Sequence, residues 1–246
     1  MLLGGPWDAA VADDDLRRTW LEPDDEAGSW APMPVPGHWR SSSAFDDADG
    51  PLLYRTRFDH PGPEGDERWW LRFEGVFYQG DVWLDGGYVG DTEGYFFPHT
   101  FEVTEALAAR GEHHLGVEVA CHPQRDRTAK RNLTGVFQHW DCFDPDWNPG
   151  GIWRPVTLFE TGEVRIVRLR IICLEASRER AELAIRAVLD SPTARSVRIR
   201  TTIDATLDEQ EHTIASGTNR VEWRVTVERP RLWWPHGLGE PQLVDA

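Results

Sequence analysis

The segment Asp81-Val82-Trp83-Leu84-Asp85-Gly86-Gly87-Tyr88-Val89 constrains the fold of this chain more than any other stretch. An Asp-Gly pair supplies the positive φ angles of a tight hairpin turn, and the flanking runs are aromatic and β-branched. Neighbouring residues are also ring-rich: Trp69-Trp70, Phe73, Phe77-Tyr78 and Tyr95-Phe96-Phe97. A surface of this kind is either a heavily filled sandwich core or a sugar-stacking face.

The strand pattern extends outward from the hairpin. Leu53 to Phe58, Arg68 to Glu74 and His114 to Ala120 are expected strands, the second with Trp70, Arg72 and Glu74 alternating against Trp69, Leu71 and Phe73, the last with Leu115, Val117 and Val119 on one face. Thr104 is expected to cap a short helical turn at Glu105-Ala106-Leu107. Residues 1–50, rich in Pro, Gly, Asp and Ser, read as a long lead-in with one helical turn near Asp14–Trp20.

Past Glu160-Thr161-Gly162 four period-2 runs follow. Val167, Leu169, Ile171 and Cys173 alternate with arginines, and Leu183 and Ile185 with Glu182 and Arg186. Val197, Ile199 and Ile203, then Val221, Trp223, Val225 and Val227, repeat the pattern. Apolar-in, polar-out alternation at this spacing indicates a small antiparallel sandwich. No segment keeps a helical period. The chain is expected to be all-β, in two domains, residues 1–161 and 162–246.

With 246 residues and 40% apolar content there is ample material for a core. The formal net charge of −16 excludes a nucleic-acid partner, because phosphate contact needs a basic face. No apolar run reaches transmembrane length, no polybasic anchor is present, and Met1-Leu2-Leu3-Gly4-Gly5 is too short for a signal segment. The expectation is a cytoplasmic protein with no membrane partner. Cys121, Cys142 and Cys173 are odd in number and widely spaced, which argues for buried free thiols rather than a disulfide framework or zinc site. His113 and His114 fall on opposite strand faces and cannot chelate one metal together. No metal or other cofactor is expected.

Chemistry concentrates in the stretch 121–151, a long polar and aromatic loop. His139, Trp140, Asp141, Asp144, Asp146, Trp147 and Asn148 place carboxylates and an amide beside indole rings. Carboxylates accept hydrogen bonds from paired hydroxyls while a ring packs on the C–H face of a pyranose. The alternative is that Asp144-Pro145 and Asn148-Pro149 simply stabilise turns.

These residues also carry a family likeness. Val35-Pro36-Gly37-His38-Trp39, Leu53 to Phe58, Leu71 to Val76 with the Asp81 to Gly86 hairpin, Gly90 to Phe101, Gly151-Ile152-Trp153-Arg154-Pro155-Val156 and Leu232-Trp233-Trp234-Pro235-His236-Gly237 occur in the order of glycoside hydrolase family 2 motifs. The chain resembles the N-terminal region of that family, which includes β-galactosidases, β-glucuronidases and β-mannosidases. The resemblance implies a jelly-roll-like, galactose-binding-like β-sandwich at 1–161. An immunoglobulin-like β-sandwich would follow at 162–246, its last strand cut short at Gln242-Leu243-Val244. It further implies a (β/α)8 catalytic barrel of roughly 250 residues that is not in this sequence. The family's acid/base Glu follows an Asn, whereas Asn132, Asn148 and Asn219 precede Leu, Pro and Arg. No catalytic residue is therefore expected here. The resemblance implies that Asp141 or Asp146 reaches the sugar, beside Trp140 and His139. Arg154 is expected in a structural ion pair.

Two functions compete. In one, the chain is the non-catalytic part of a retaining β-glycosidase. In the other, it is a freestanding carbohydrate-binding module in which Trp140 and Trp147 form an open platform. An uncovered barrel-docking face could also drive homo-oligomer formation.

Overall fold

The computed structural model describes residues 1–22, 28–123 and 148–245. It is almost entirely β and divides into two compact units, Met1–Thr161 and Gly162–Ala246.

In the first unit a six-stranded antiparallel sheet faces a three-stranded one. The larger sheet contains β1 (Gly5–Val11), β2 (Ala31–Val35), β3 (Leu52–Asp59), β5 (Gln79–Leu84), β6 (Gly87–Glu93) and β8 (Glu112–Ala120). Their order is β2-β1-β3-β8-β5-β6. The smaller sheet is β7 (His99–Glu102), β4 (Arg68–Phe73) and β9 (Val156–Thr161), with β4 central. Alternate residues of both sheets fill the space between them: Trp7, Tyr54, Phe73, Val82, Val117 and Leu158 are all fully buried.

The hairpin forms as its residues demand. Leu84 pairs with Gly87 across a two-residue turn, with Asp85 at φ 53° and Gly86 at φ 79°. Asp85 does more than turn the chain. Its carboxylate accepts the His114 backbone N–H at 2.8 Å and lies 2.8 Å from Nδ1 of the fully buried His113. The hairpin tip is thereby fastened to β8.

Three expectations for this unit need correction. The lead-in is not unstructured, because β1 and β2 form one margin of the large sheet. Trp7 and Ala9, then Met33 and Val35, point into the core at period 2. Pro32 and Pro34 are tolerated because β2 is an edge strand. Thr104 does not cap its helix, α2 (Thr104–Ala108), since the N-cap position is Val103. The Thr104 hydroxyl instead accepts the Trp69 backbone N–H at 2.9 Å. Trp70, expected on the polar face of β4, is buried, with the Arg68 guanidinium 4.7 Å from its ring centroid.

In the second unit β10 (Arg165–Ala176), β11 (Arg180–Ser191) and β14 (Gly217–Glu228) form one sheet, with β11 central. β12 (Arg195–Ile203) and β13 (Thr206–Ile214) form a two-stranded second sheet. The core between the sheets holds Ile185, Leu189, Ile203, Ile214, Trp223 and Val225. Trp223 reaches across, its Nε1–H donating to Thr201 Oγ1 at 3.0 Å.

β13 was not legible as a strand because its inward positions, Asp208, Gln210 and His212, are polar. It is held by its partner: Glu209 bonds Arg200 at 2.8 Å, and Glu211 lies 3.7 Å from Arg198. β10 departs further from expectation. A register shift between Ile166 and Arg168 puts Ile166, not Val167, opposite Leu189. Leu169 and Ile171 face inward yet are 52% and 43% exposed. Cys173, expected to be buried, is exposed on the same strand, while Cys121 is buried in the first unit.

Candidate functional site

Asp141, Asp146, Trp140, His139 and Trp147 lie outside the described residues, as do Asp144 and Cys142. The structure does describe both roots of their segment, and the two roots are joined. Asn148 is 1% exposed, and its Nδ2 donates to the Cys121 carbonyl at 2.6 Å and to the Asp49 carbonyl at 2.7 Å. Its Oδ1 accepts from Arg40 Nε at 3.0 Å and Nη2 at 2.7 Å. Arg40 Nη2 also bonds Asp49 at 2.8 Å, which neutralises a cation whose side chain is largely buried. The Asn148 side chain is thus spent on long-range anchoring rather than on a local Asn148-Pro149 turn: its bonds reach residues 27 to 108 positions away.

The residues that follow are locked by backbone pairing. Trp39 N–H donates to the Gly150 carbonyl at 2.8 Å, Gly37 N–H to the Ile152 carbonyl at 2.8 Å, and Phe77 exchanges bonds with Gly151. Glycine is required at 150, where a Cβ would sit 1.9 Å from the Trp39 ring. His38 precedes this contact. Its Nδ1 accepts the Arg40 N–H at 3.2 Å, and burial, with the Arg40 charge second, holds it below the ordinary histidine value. His38 is therefore a neutral structural acceptor.

Beside the anchored roots lies a ring cluster. Phe77 stacks on Tyr95 at 4.8 Å, and Tyr95 meets Phe96 edge-on at 4.4 Å. Trp153 donates Nε1–H to the Tyr95 carbonyl at 2.9 Å. Arg154, expected in an ion pair, instead lies 4.3 Å over the Trp153 ring. Phe96 and Phe97 are 51% and 73% exposed. This end of the unit can offer apolar ring faces and one stacked cation. The carboxylates of Asp49, Glu74 and Glu93 each accept a bond from a neighbouring Arg or Tyr side chain. No described cluster of His, Cys, Asp and Glu could hold a metal. No helix among the described residues is long and apolar enough to cross a membrane.

Sequence reasoning missed Arg40 and Asp49, which set the segment's root. No local signal could reveal them, because Arg40 and Asn148 are 108 positions apart. The exposed Tyr95-Phe96-Phe97 run was visible as an aromatic stretch, but its closeness to Trp153 was not.

Comparison with known proteins agrees with this architecture. Residues 47–154 match a family model described as glycosyl hydrolase 2 galactose-binding domain-like. Beta-mannosidase B of Aspergillus clavatus is 27% identical over 216 residues, covering 78% of this chain and 25% of that protein. Beta-mannosidase B of Aspergillus oryzae is 29% identical over 221 residues, covering 80% and 26%. The chain thus spans about a quarter of the length of these curated relatives. Among solved structures, the beta-D-mannosidase of Dictyoglomus thermophilum superimposes with a TM-score of 0.72 at 18% identity, over 98% of this chain and 32% of that one. A Bacteroides uniformis beta-glucuronidase gives 0.71 at 19%, over 95% and 28%. At those identities the likeness establishes the fold alone. Residues 47–154 are thus similar to the glycosyl hydrolase 2 galactose-binding-like domain, and about four-fifths of the chain is similar to one quarter of the curated beta-mannosidases.

Proposed function

We propose that this chain is the non-catalytic N-terminal part of a retaining β-glycosidase of the β-mannosidase kind. It would support a (β/α)8 catalytic barrel and shape that barrel's substrate site. The observation that carries the reading is coverage: four-fifths of this chain corresponds to only a quarter of the beta-mannosidases it resembles. The two bond-breaking carboxylates of such an enzyme, nucleophile and acid/base, would come from the barrel. The 121–148 segment, rooted by Asn148, would present Asp141 or Asp146 to the sugar, with Trp140, His139 and Trp147 beside it. In the isolated chain Phe96 and Phe97 are uncovered. Self-association at high concentration is therefore expected, and sedimentation velocity checks it.

The test compares this 246-residue chain with the product of the longer reading frame on chromogenic β-glycosides. Turnover is expected only from the longer product, and turnover by the short chain would sink the proposal. In the longer product, replacing the sugar-contacting Asp141 or Asp146 by Ala should lower kcat/KM by about 10- to 100-fold, the worth of one charged hydrogen bond. The competing reading, a freestanding carbohydrate-binding module, rests on the indole rings of the same segment. Sugar binding by the short chain, abolished by Trp140→Ala with no hydrolase in the longer frame, would favour it.

A further inference from the structure

Two Asp-Gly dipeptides occur in the chain, Asp49-Gly50 and Asp85-Gly86. An aspartate before glycine has a covalent reaction open to it that other aspartates largely lack. The glycine nitrogen, with no Cβ beside it to block the approach, can attack the aspartate Cγ. The N–H proton and the hydroxyl of the carboxylic acid leave together as water, and a five-membered succinimide forms. Water then adds to one of its two carbonyls. Opening at the former side-chain carbonyl restores aspartate. Opening at the former main-chain carbonyl gives isoaspartate, in which the main chain runs through Cβ and the α-carboxylate is free. The net change is an isomerisation, with one water lost and one regained.

The fold treats the two dipeptides differently. Asp85 is closed to the reaction. Its Oδ1 accepts the His114 backbone N–H and its Oδ2 lies against Nδ1 of His113, both at 2.8 Å, and its side chain is 9% exposed. Both oxygens face β8, so Cγ is turned away from Gly86 while the hairpin stays docked. Asp49 lies between Ser41 and Leu52, in turns rather than in a strand. Its side chain is 40% exposed, and Arg40 Nη2, the tip of a side chain, donates to its Oδ1 at 2.8 Å.

We propose that Asp49-Gly50 is a site of spontaneous isoaspartate formation in the folded protein, and that the change releases the root of the 121–148 segment. The release follows from which atoms exchange roles. The Asp49 carbonyl accepts Asn148 Nδ2 at 2.7 Å. The Asp49 carboxylate pairs with Arg40, which also donates to Asn148 Oδ1. In isoaspartate that carbonyl becomes part of the free carboxylate, and the former carboxylate becomes a neutral amide carbonyl. Arg40 loses its counter-charge where it now stands, and Asn148 loses an acceptor in its present place. The added main-chain carbon also shifts Gly50, which packs so closely on Trp39 that a Cβ there would sit 2.6 Å from the ring.

Prolonged warm incubation of the folded chain at neutral pH tests this, followed by proteolysis and mass spectrometry that separates aspartyl from isoaspartyl peptides. A carboxyl methyltransferase specific for isoaspartate gives an independent count. The same chain unfolded in urea supplies the unrestrained rate at each site. In the folded chain isoaspartate at Asp49 should exceed that at Asp85 by about 10-fold or more, because the Asp85 reaction must first break two hydrogen bonds. In urea the two rates should converge. A sample enriched in isoaspartate at Asp49 should show a second unfolding population about 4 °C or more below the first. Equal rates at the two sites in the folded chain, or a faster rate at Asp85, would overturn the assignment. So would the absence of isoaspartate at Asp49 over the time the unfolded chain needs to reach its plateau. An isomerised chain that unfolds together with the unmodified one would overturn the release of the segment root.

Discussion

The two units use the same pattern with different results. In the first, β4 sends Leu71 and Phe73 into a space closed by six strands, and both side chains vanish from solvent. In the second, β10 sends Leu169 and Ile171 toward a sheet of two strands, and both stay about half exposed. Alternation therefore marks which side of a strand is meant to be covered. Whether it is covered depends on how many strands lie opposite. The same side chain is worth very different amounts in the two settings, because transfer free energy follows area removed from water.

The largest expected effect tests that contrast directly. Phe73→Ala should cost about 3–5 kcal/mol in denaturant unfolding of the first unit, since a fully buried ring leaves a cavity. Leu169→Ala in the second unit should cost about 1 kcal/mol or less in the short chain, given its exposure. Equal losses would erase the distinction between a closed and an open sandwich.

Next is Asn148→Ala. It strips Arg40 of an acceptor and leaves the Asp49 and Cys121 carbonyls without their donor. A loss of about 2–3 kcal/mol is expected, read by thermal unfolding. A neutral result would mean that the roots of the 121–148 segment are held by something else. Asp85→Ala should cost about 2 kcal/mol, combining the αL position with the bonds to His113 and His114. Asp85→Asn, which keeps the turn, should cost less than Ala.

The smallest effect concerns Tyr54. Its hydroxyl is buried with no hydrogen-bond partner among the described residues, and burial pushes its pKa well up. The neutral phenol is favoured in the folded state while the unfolded phenol titrates near about 10. Stability is thus fully present below pH about 10 and falls as pH rises beyond it. Tyr54→Phe should change stability at pH 7 by less than about 1 kcal/mol and should remove the alkaline loss. Identical pH profiles for the two proteins would refute the burial account.

Much of the fold was legible locally. The Asp85-Gly86 turn, the β3, β4, β5 and β8 runs and the four apolar-alternating strands of the second unit follow from φ preferences and period-2 burial. β1 and β2 also alternate, through Trp7 and Ala9 and through Met33 and Val35, but their prolines and glycines hid the pattern. β13 was illegible because its inner face is polar, and its strand identity comes from the continuous backbone ladder it forms with β12. The candidate site was legible only as a composition, with carboxylates and indoles in one segment. Of that constellation the structure describes Asn148, which proved to be an anchor.

Local chemistry in the sequence determined which residues turn, which alternate and which family motifs stand in order, because these depend on neighbours within a few positions. Only the tertiary structure decided that Asp85 fastens β8, that Asn148 binds Arg40 and Cys121, and that β10 lies uncovered. Each of those depends on groups brought together across tens or hundreds of positions, and on the count of strands that happen to lie opposite.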